Sequence, residues 1–309
     1  MGDTPTPPGT DTWRDLHAEA AARVPAVDAR WLVEDVSGLD RSRWSEEADA
    51  EGRARLAVLV ERRMAGEPLQ YVLGRWSFRG LDLLVDRRVL IPRPETEMVA
   101  EVAIAEARGL HPPPPRHTRG LHLPPPRQAG PCTVADLGTG SGALALALAV
   151  ELPEAEVWAT DVSSAALEVA GANLAALGPA AVFRVHLSEG MWYEALPARL
   201  RGRLRVILSN PPYVTEAEFA GLPPEVRDHE PAGALVAGPT GRESLEHLIA
   251  GGLDWLEPGG ALVLEMAPGQ APPLSRAAEA AGYEAVAVHR DLAGRDRVLV
   301  ARRGEGAGA

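Results

Sequence analysis

The stretch Asp136-Leu137-Gly138-Thr139-Gly140-Ser141-Gly142 constrains the fold of this chain more than any other. It follows an apolar run that begins at Thr133 and precedes a small-residue segment, Ala143 to Leu152, suited to a helix. Strand, glycine turn and helix in that order make a platform for a nucleotide-type cofactor. Glycine serves there because the backbone must turn sharply and meet a ligand with no Cβ in the way. The spacing differs from the G-x-G-x-x-G fingerprint of dinucleotide folds, because an acidic residue leads and the glycines alternate tightly. The next strand-like run, Glu156 to Thr160, ends in Asp161. An acid at that point is placed to accept hydrogen bonds from ribose hydroxyls.

A second motif, Asn210-Pro211-Pro212-Tyr213, follows the apolar run Val206-Ile207-Leu208-Ser209, where a buried strand would empty into a loop. In open α/β sheets the ligand crevice lies at the carboxyl ends of strands. Two consecutive prolines fix two φ angles, and each pushes its predecessor toward extended geometry. The Asn210 side chain and the Pro211 carbonyl are thereby held as acceptors, with the flat ring of Tyr213 beside them. Such a loop suits a planar group carrying an NH2, either an amide or an amino-purine. An amide nitrogen is a poor nucleophile because its lone pair is delocalised, so orientation is what a site must supply. Two acceptors that each take one N–H would also set positive charge, as it develops, against fixed dipoles. No histidine or cysteine is positioned by a motif for covalent chemistry, and no metal-ligand spacing is present in the sequence.

At 309 residues the chain has room for two domains. No run of eighteen apolar residues exists to span a bilayer, and the acidic, proline-bearing start is not a secretory signal. Gly2 with Thr6 matches a myristoylation pattern by chance. A single cysteine, Cys132, excludes internal disulfides, fits a cytoplasmic location and reads as a small core hydrophobe. The net charge of −12 argues against stable binding of nucleic acid by phosphate neutralisation.

Residues 12 to 73 read as helical. Val27, Trp31, Leu32 and Val36 mark one amphipathic helix, and Leu56, Leu59, Val60 and Met64 mark another that Gly66 and Pro68 stop. Trp76, Phe78, Leu81, Leu83 and Val85 alternate across Arg79-Gly80, which predicts a β-hairpin. Glu95 to Arg108 is helical again, with Met98, Val102 and Ala105 on one face. A proline-rich stretch from His111 to Pro131 holds little that could form a core and reads as a tolerated insertion. Its histidines, His111, His117 and His122, lack a scaffold for a metal. From Thr133 onward strands are expected at 133–137, 156–160, 181–186, 204–209, 261–265, 283–288 and 296–302, with a helix from Gln270 to Ala281. Such alternation gives a parallel sheet covered on both faces, and Gly294 brings the last strand back antiparallel. The expected division is a helical substrate-recognition domain over 1–75, a hairpin connector over 76–94, a catalytic domain over 95–303 with the 110–131 insertion, and a disordered tail over 304–309.

Several motifs together resemble one family, the protein N5-glutamine methyltransferases that modify the glutamine of the Gly-Gly-Gln motif in bacterial peptide chain release factors. They are Gln70 to Gly74, Val89-Leu90-Ile91-Pro92-Arg93-Pro94-Glu95-Thr96-Glu97, Asp136 to Gly142, Asn210 to Tyr213, Val226-Arg227-Asp228 with Glu230-Pro231, and Asp291 to Arg297. The resemblance spans roughly residues 60 to 303. It implies a class I, Rossmann-like methyltransferase fold, an α/β domain whose mostly parallel seven-stranded sheet ends in an antiparallel strand. It implies S-adenosylmethionine as cofactor, contacted by Gly138, Thr139, Gly140, Ser141, Gly142, Asp161, Trp192 and Asn210. By the same resemblance Asn210, Pro211, Pro212 and Tyr213 hold the glutamine, with Asn210, Pro211 and Tyr213 catalytic. Release factors are the expected partners of a monomeric enzyme that engages no membrane. Three other readings share these motifs in part: a glutamine methyltransferase for a large-subunit ribosomal protein, an adenine-N6 methyltransferase on nucleic acid, and a noncatalytic scaffold.

Overall fold

In the computed structural model, which describes residues 11–110 and 131–305, the chain divides into two units. One holds the residues up to Arg75 together with Pro224–His229, and the other holds Trp76–Pro223 and Glu230 onward. The proline-rich insertion with its histidines, the N-terminal Gly2 and Thr6, and tail residues 306–309 lie outside the described residues.

The first unit is built from α1 (Trp13–Ala21), α2 (Ala26–Ser37), α3 (Ala50–Met64) and α4 (Leu69–Leu73). Thr12 caps α1 through a capping box with Asp15, and Asp49 caps α3 by accepting from the Gly52 amide. Gly38 and Gly74 end α2 and α4 in the left-handed conformation that glycine adopts without strain. Leu16, Leu32, Val33, Trp44, Leu56, Leu59 and Val60 form its core. Met64 and Trp31, which helical spacing places on the same faces, are exposed instead.

The second unit opens at Trp76, within β1 (Arg75–Phe78), and continues into β2 (Leu81–Leu84). Arg79 and Gly80 both take positive φ, 47° and 77°, the two-residue turn whose twist matches that of hairpin strands. Next come α5 (Thr96–Ala107), β3 (Thr133–Leu137), α6 (Ala143–Glu151), β4 (Glu156–Asp161), α7 (Ser164–Ala176), α8 (Pro179–Val182), β5 (Val185–Glu189), β6 (Leu204–Ser209) and β7 (Val214–Thr215). After α9 (Glu216–Phe219), and after α10 (Pro224–Arg227) of the first unit, follow β8 (Val236–Gly238), α11 (Glu243–Gly252) and β9 (Leu256–Glu265). The chain closes with α12 (Ala271–Ala281), β10 (Ala285–Arg290) and β11 (Asp296–Arg302).

Seven strands form one sheet in the order β10-β11-β9-β6-β3-β4-β5. The pairs among β9, β6, β3, β4 and β5 are parallel, whereas β11 runs antiparallel to both of its neighbours. The two faces of this sheet alternate residue by residue. Val134, Val157, Val206, Leu208 and Val263 enter one buried cluster with α5 and α6. Ala135, Leu137, Trp158, Ile207 and Leu262 enter another with α11 and α12. Sheet and helices therefore make three layers with a core on each side.

Several boundaries differ from the sequence expectation. The strand expected at 181–186 begins only at Val185, because Pro179 starts a helical turn that leaves Phe183 exposed. The strand expected at 261–265 starts earlier, at Leu256, and carries Pro258-Gly259-Gly260 within its run. The strand expected at 283–288 is displaced to 285–290, since Gly282 caps α12 and Tyr283 turns into the core. The face of α5 that is fully buried is Val99, Ala100 and Ala103, while Met98 and Ala105 are only partly covered. The small parallel pair β7–β8 and helix α11 were not anticipated.

Candidate functional site

Chain order reverses direction across the sheet at β3, which has β4 on one side and β6 on the other. At such a switch point the loops leaving neighbouring strands part and open a crevice at their carboxyl ends. The glycine loop leaves β3, Asp161 ends β4, and Asn210 follows β6, so the three sequence motifs meet there. A cavity of about 480 Å³ occupies the crevice. Its walls include Gly138, Gly140, Asp161, Trp192, Asn210 and Pro212, and most of its lining is apolar.

The glycine loop is held by groups the sequence places nearby. Gly138 and Thr139 each donate a backbone N–H to the Thr160 carbonyl, at 2.8 Å in both cases. The Gly140 amide donates to Asp161 Oδ2 at 2.9 Å, and the Ser163 amide donates to Asp161 Oδ1, also at 2.9 Å. Each carboxylate oxygen of Asp161 thus keeps a lone pair beside the cavity. Burial raises its pKa, against the pull of those backbone donors. Gly140 has φ of +57°, and a Cβ built there would meet nothing within 4 Å, so the backbone itself faces open space. Gly138 has no such latitude: a Cβ would come 3.2 Å from the Trp192 ring.

Gly142, at φ +85°, occupies the cap position of α6 and has no side chain to satisfy the first helical amides. Asp136 does this from the end of β3. Its Oδ2 accepts from the Ala145 amide at 3.1 Å and from Thr139 Oγ1 at 2.6 Å. Its Oδ1 is buried without a hydrogen-bond partner. Burial pushes this carboxyl up to about 7, overcoming the Thr139 and Ala145 bonds. The consequence for stability has a definite sign. An unfolded aspartate titrates near 3.9, so between about pH 4 and 7 the folded state retains a proton that the unfolded chain has lost. The contribution is fully present below about pH 4 and disappears as pH rises through 7, amounting to at most about 4 kcal/mol. Urea unfolding of the cofactor-free protein across this range should show the parent losing stability relative to Asp136→Asn. Parallel pH curves for the two proteins would contradict it.

Asn210 is reached from two other elements. Its Nδ2 donates to Thr96 Oγ1, at the start of α5, at 3.2 Å. Thr96 in turn donates to Glu265 Oε2, at the end of β9, at 2.7 Å. The Tyr213 hydroxyl donates to the other oxygen, Glu265 Oε1, at 3.1 Å. A hydroxyl whose proton is committed to a carboxylate has only lone pairs left to offer. It must therefore receive the NH2 edge of Asn210, which leaves the carboxamide oxygen as the free acceptor at the cavity. Beneath it, Ser209 Oγ donates to the Leu137 carbonyl at 2.5 Å and ties β6 to β3.

Of the residues singled out in the sequence, Gly138, Thr139, Gly140, Ser141, Asp161, Trp192, Asn210 and Pro212 line the cavity. Gly142, Pro211 and Tyr213 are not among its lining residues. Pro211 is buried, and Tyr213 turns its hydroxyl to Glu265. Trp192 reaches the wall with φ of +48°, a conformation that sequence spacing does not signal. Thr96 and Glu265 went unrecognised as site residues, although Thr96 lies within the Pro92 to Glu97 motif.

Comparisons with known proteins place the chain in a family. A family model described as the PrmC N-terminal domain matches residues 11–74, and one described as a methyltransferase small domain matches residues 122–221. A release factor glutamine methyltransferase of Gloeobacter violaceus is 42% identical, covering 94% of this chain and 96% of its own length. One of Deinococcus radiodurans is 40% identical, covering 95% of this chain and 99% of its own. The chain belongs to the release factor glutamine methyltransferase family. The solved hMettl16 catalytic domain, in complex with an RNA hairpin, aligns with a TM-score of 0.54 at 13% identity, over 95% of this chain and 94% of that one. That likeness shows the shared methyltransferase fold alone. Among the described residues of this family member, no helix is long and apolar enough to cross a membrane.

Proposed function

We propose that this chain methylates the side-chain amide nitrogen of the glutamine in the Gly-Gly-Gln motif of peptide chain release factors, with S-adenosylmethionine as donor. The observation that carries the reading is the direction of the Asn210 carboxamide, whose oxygen is left as an acceptor at the cavity by the Thr96 bond. A primary amide offers two N–H groups in one plane. Asn210 Oδ1 and the Pro211 carbonyl each accept one, which fixes the orientation of the bound amide and favours partial pyramidalisation of its nitrogen toward the methyl group. No strong general base is needed among the surrounding side chains, because the surplus N–H proton leaves only after the methyl group has been transferred. S-adenosylmethionine, when bound, supplies a methyl group already activated on a sulfonium.

The residues at the crevice fit that cofactor. Its volume falls within the range of about 300–1,000 Å³ usual for small-molecule sites. The bare backbone at Gly140 permits close approach, Asp161 offers acceptors for ribose hydroxyls, and Trp192 offers a flat apolar wall. Asp161→Ala is expected to weaken cofactor binding by about 1.5–3 kcal/mol, the cost of losing charge-assisted hydrogen bonds. The lost Gly140 bond acts in the same direction by loosening the loop. Unchanged affinity by calorimetry would remove Asp161 from the cofactor site.

Residues 1–75 are assigned to recognition of the release factor, and the enzyme is taken to act as a cytoplasmic monomer. The deciding experiment is an intact-mass measurement on candidate substrates incubated with the protein and S-adenosylmethionine. A release factor should gain one methyl group on its Gly-Gly-Gln glutamine. Methylation of a large-subunit ribosomal protein or an adenine-bearing oligonucleotide in its place would overturn the reading.

A further inference from the structure

We infer that Glu265 is a positioning residue for methyl transfer: as a carboxylate it sets the direction of the hydrogen-bond chain through Thr96 and so decides which edge of Asn210 meets the substrate amide. The inference rests on the amide-methylating reading given above and adds a residue that is absent from the cavity wall.

Glu265 is 1% exposed and accepts from two hydroxyls, those of Thr96 and Tyr213. An ionised carboxylate is an acceptor only, so both hydroxyl protons must point toward it. Thr96, also buried, then has nothing but lone pairs for Asn210. The chain runs in a single sense, from Asn210 Nδ2 to Thr96 Oγ1 to Glu265 Oε2, and Asn210 Oδ1 faces the cavity. A protonated Glu265 would have a hydrogen to donate. If Thr96 received it, the Thr96 proton would turn toward Asn210 and call for its oxygen, and the carboxamide would present NH2 to the cavity. Two NH2 groups facing one another cannot orient a glutamine for transfer.

The charged groups facing Glu265 act in opposing directions. Burial disfavours the ionised form, as does Glu95, next to Thr96. Arg297 of β11, itself buried, favours it together with the two hydroxyl donors. Asp291 partly engages Arg297, at 3.5 Å. The balance raises the pKa of Glu265 above that of an ordinary glutamate, whereas Tyr213 is pushed upward and remains a donor throughout. Activity that needs the carboxylate is accordingly present above the raised pKa and lost as pH falls through it.

The test compares parent, Thr96→Val, Thr96→Ser and Glu265→Gln on a release factor, measuring kcat, KM, the pH dependence of kcat and cofactor affinity. Thr96→Val, which breaks the chain, should lower kcat by about tenfold or more, a modest share of what losing one preorganised contact costs. Cofactor affinity should stay within about threefold of the parent, since Thr96 acts on the amide-orienting group. Thr96→Ser keeps the hydroxyl and should recover most of the loss. Glu265→Gln brings one donor and one acceptor to two hydroxyls, so kcat should fall and the acid limb of its pH profile should vanish. If Glu265→Gln fails to fold, the Thr96 pair decides. Thr96→Val turning over at the parent kcat, or a parent-like acid limb in Glu265→Gln, would overturn the inference while leaving the methyltransferase reading intact. A parent that leaves the release factor unmethylated would overturn the reading itself.

Discussion

A release factor carrying glutamate in place of the target glutamine is expected to be methylated about 10⁴–10⁵-fold more slowly than the natural one. The two side chains have nearly the same size and shape, so a site selecting by volume would accept both. On the proposed reading, the site selects by hydrogen-bond polarity. Asn210 Oδ1 is the group left facing the cavity, and on that reading the Pro211 carbonyl is the second acceptor, so the bound group meets acceptors. A carboxylate brings no N–H and sets its own lone pairs against theirs, while its charge must be desolvated with nothing to receive it. Sites built around a donor reject an analogue lacking it far more strongly than apolar pockets reject a missing methylene. Single-turnover assays with both forms of the factor, at matched concentrations, measure the ratio directly. Comparable rates for the two would show that orientation comes from elsewhere.

Much of this site is legible in the sequence because its decisive parts are local. The glycine loop with Asp136 leading, Asp161 at a strand end, and the two prolines after Asn210 are each written within a few consecutive residues. Their convergence follows from strand alternation and the rule that ligands sit at the switch point. What escapes a linear reading is the support beneath. Thr96 lies 114 residues from Asn210 and 169 from Glu265, and no periodicity links them. Only the register of β6 beside β9, with Ser209 opposite Leu264, brings Glu265 under the loop. The hydroxyl of Tyr213 likewise has a distant partner, 52 residues away in Glu265, that no local pattern signals. Helix α11 is a different case: Leu245, Leu248 and Ile249 carry helical spacing, so the signal was present and unread. The strands β7 and β8 are too short to carry any alternation.

Asn210→Ala is expected to retain the fold and to slow methyl transfer by a factor on the order of 10²–10³, the usual cost of removing one preorganised polar contact from a transition state. The fold should hold because Asn210 is only half-buried at a strand end, and the strand itself is secured by Ser209 and the β3 and β9 ladders. Some loss of cofactor affinity is expected as well, since Asn210 lines the same cavity as the glycine loop. The larger effect belongs to chemistry. Without the carboxamide, one N–H of the bound glutamine loses its acceptor, and the other, on Pro211, no longer defines the plane of the amide. Near-attack alignment of nitrogen, methyl carbon and sulfur then depends on chance orientation. Asn210→Asp separates hydrogen-bond polarity from size. It keeps the shape but sets an acceptor against Thr96, whose proton is already given to Glu265, so it too should be slow. Single-turnover measurements at saturating cofactor exclude the binding contribution. Methyl transfer by Asn210→Ala at the parent rate would show that the amide is oriented by some other part of the cavity.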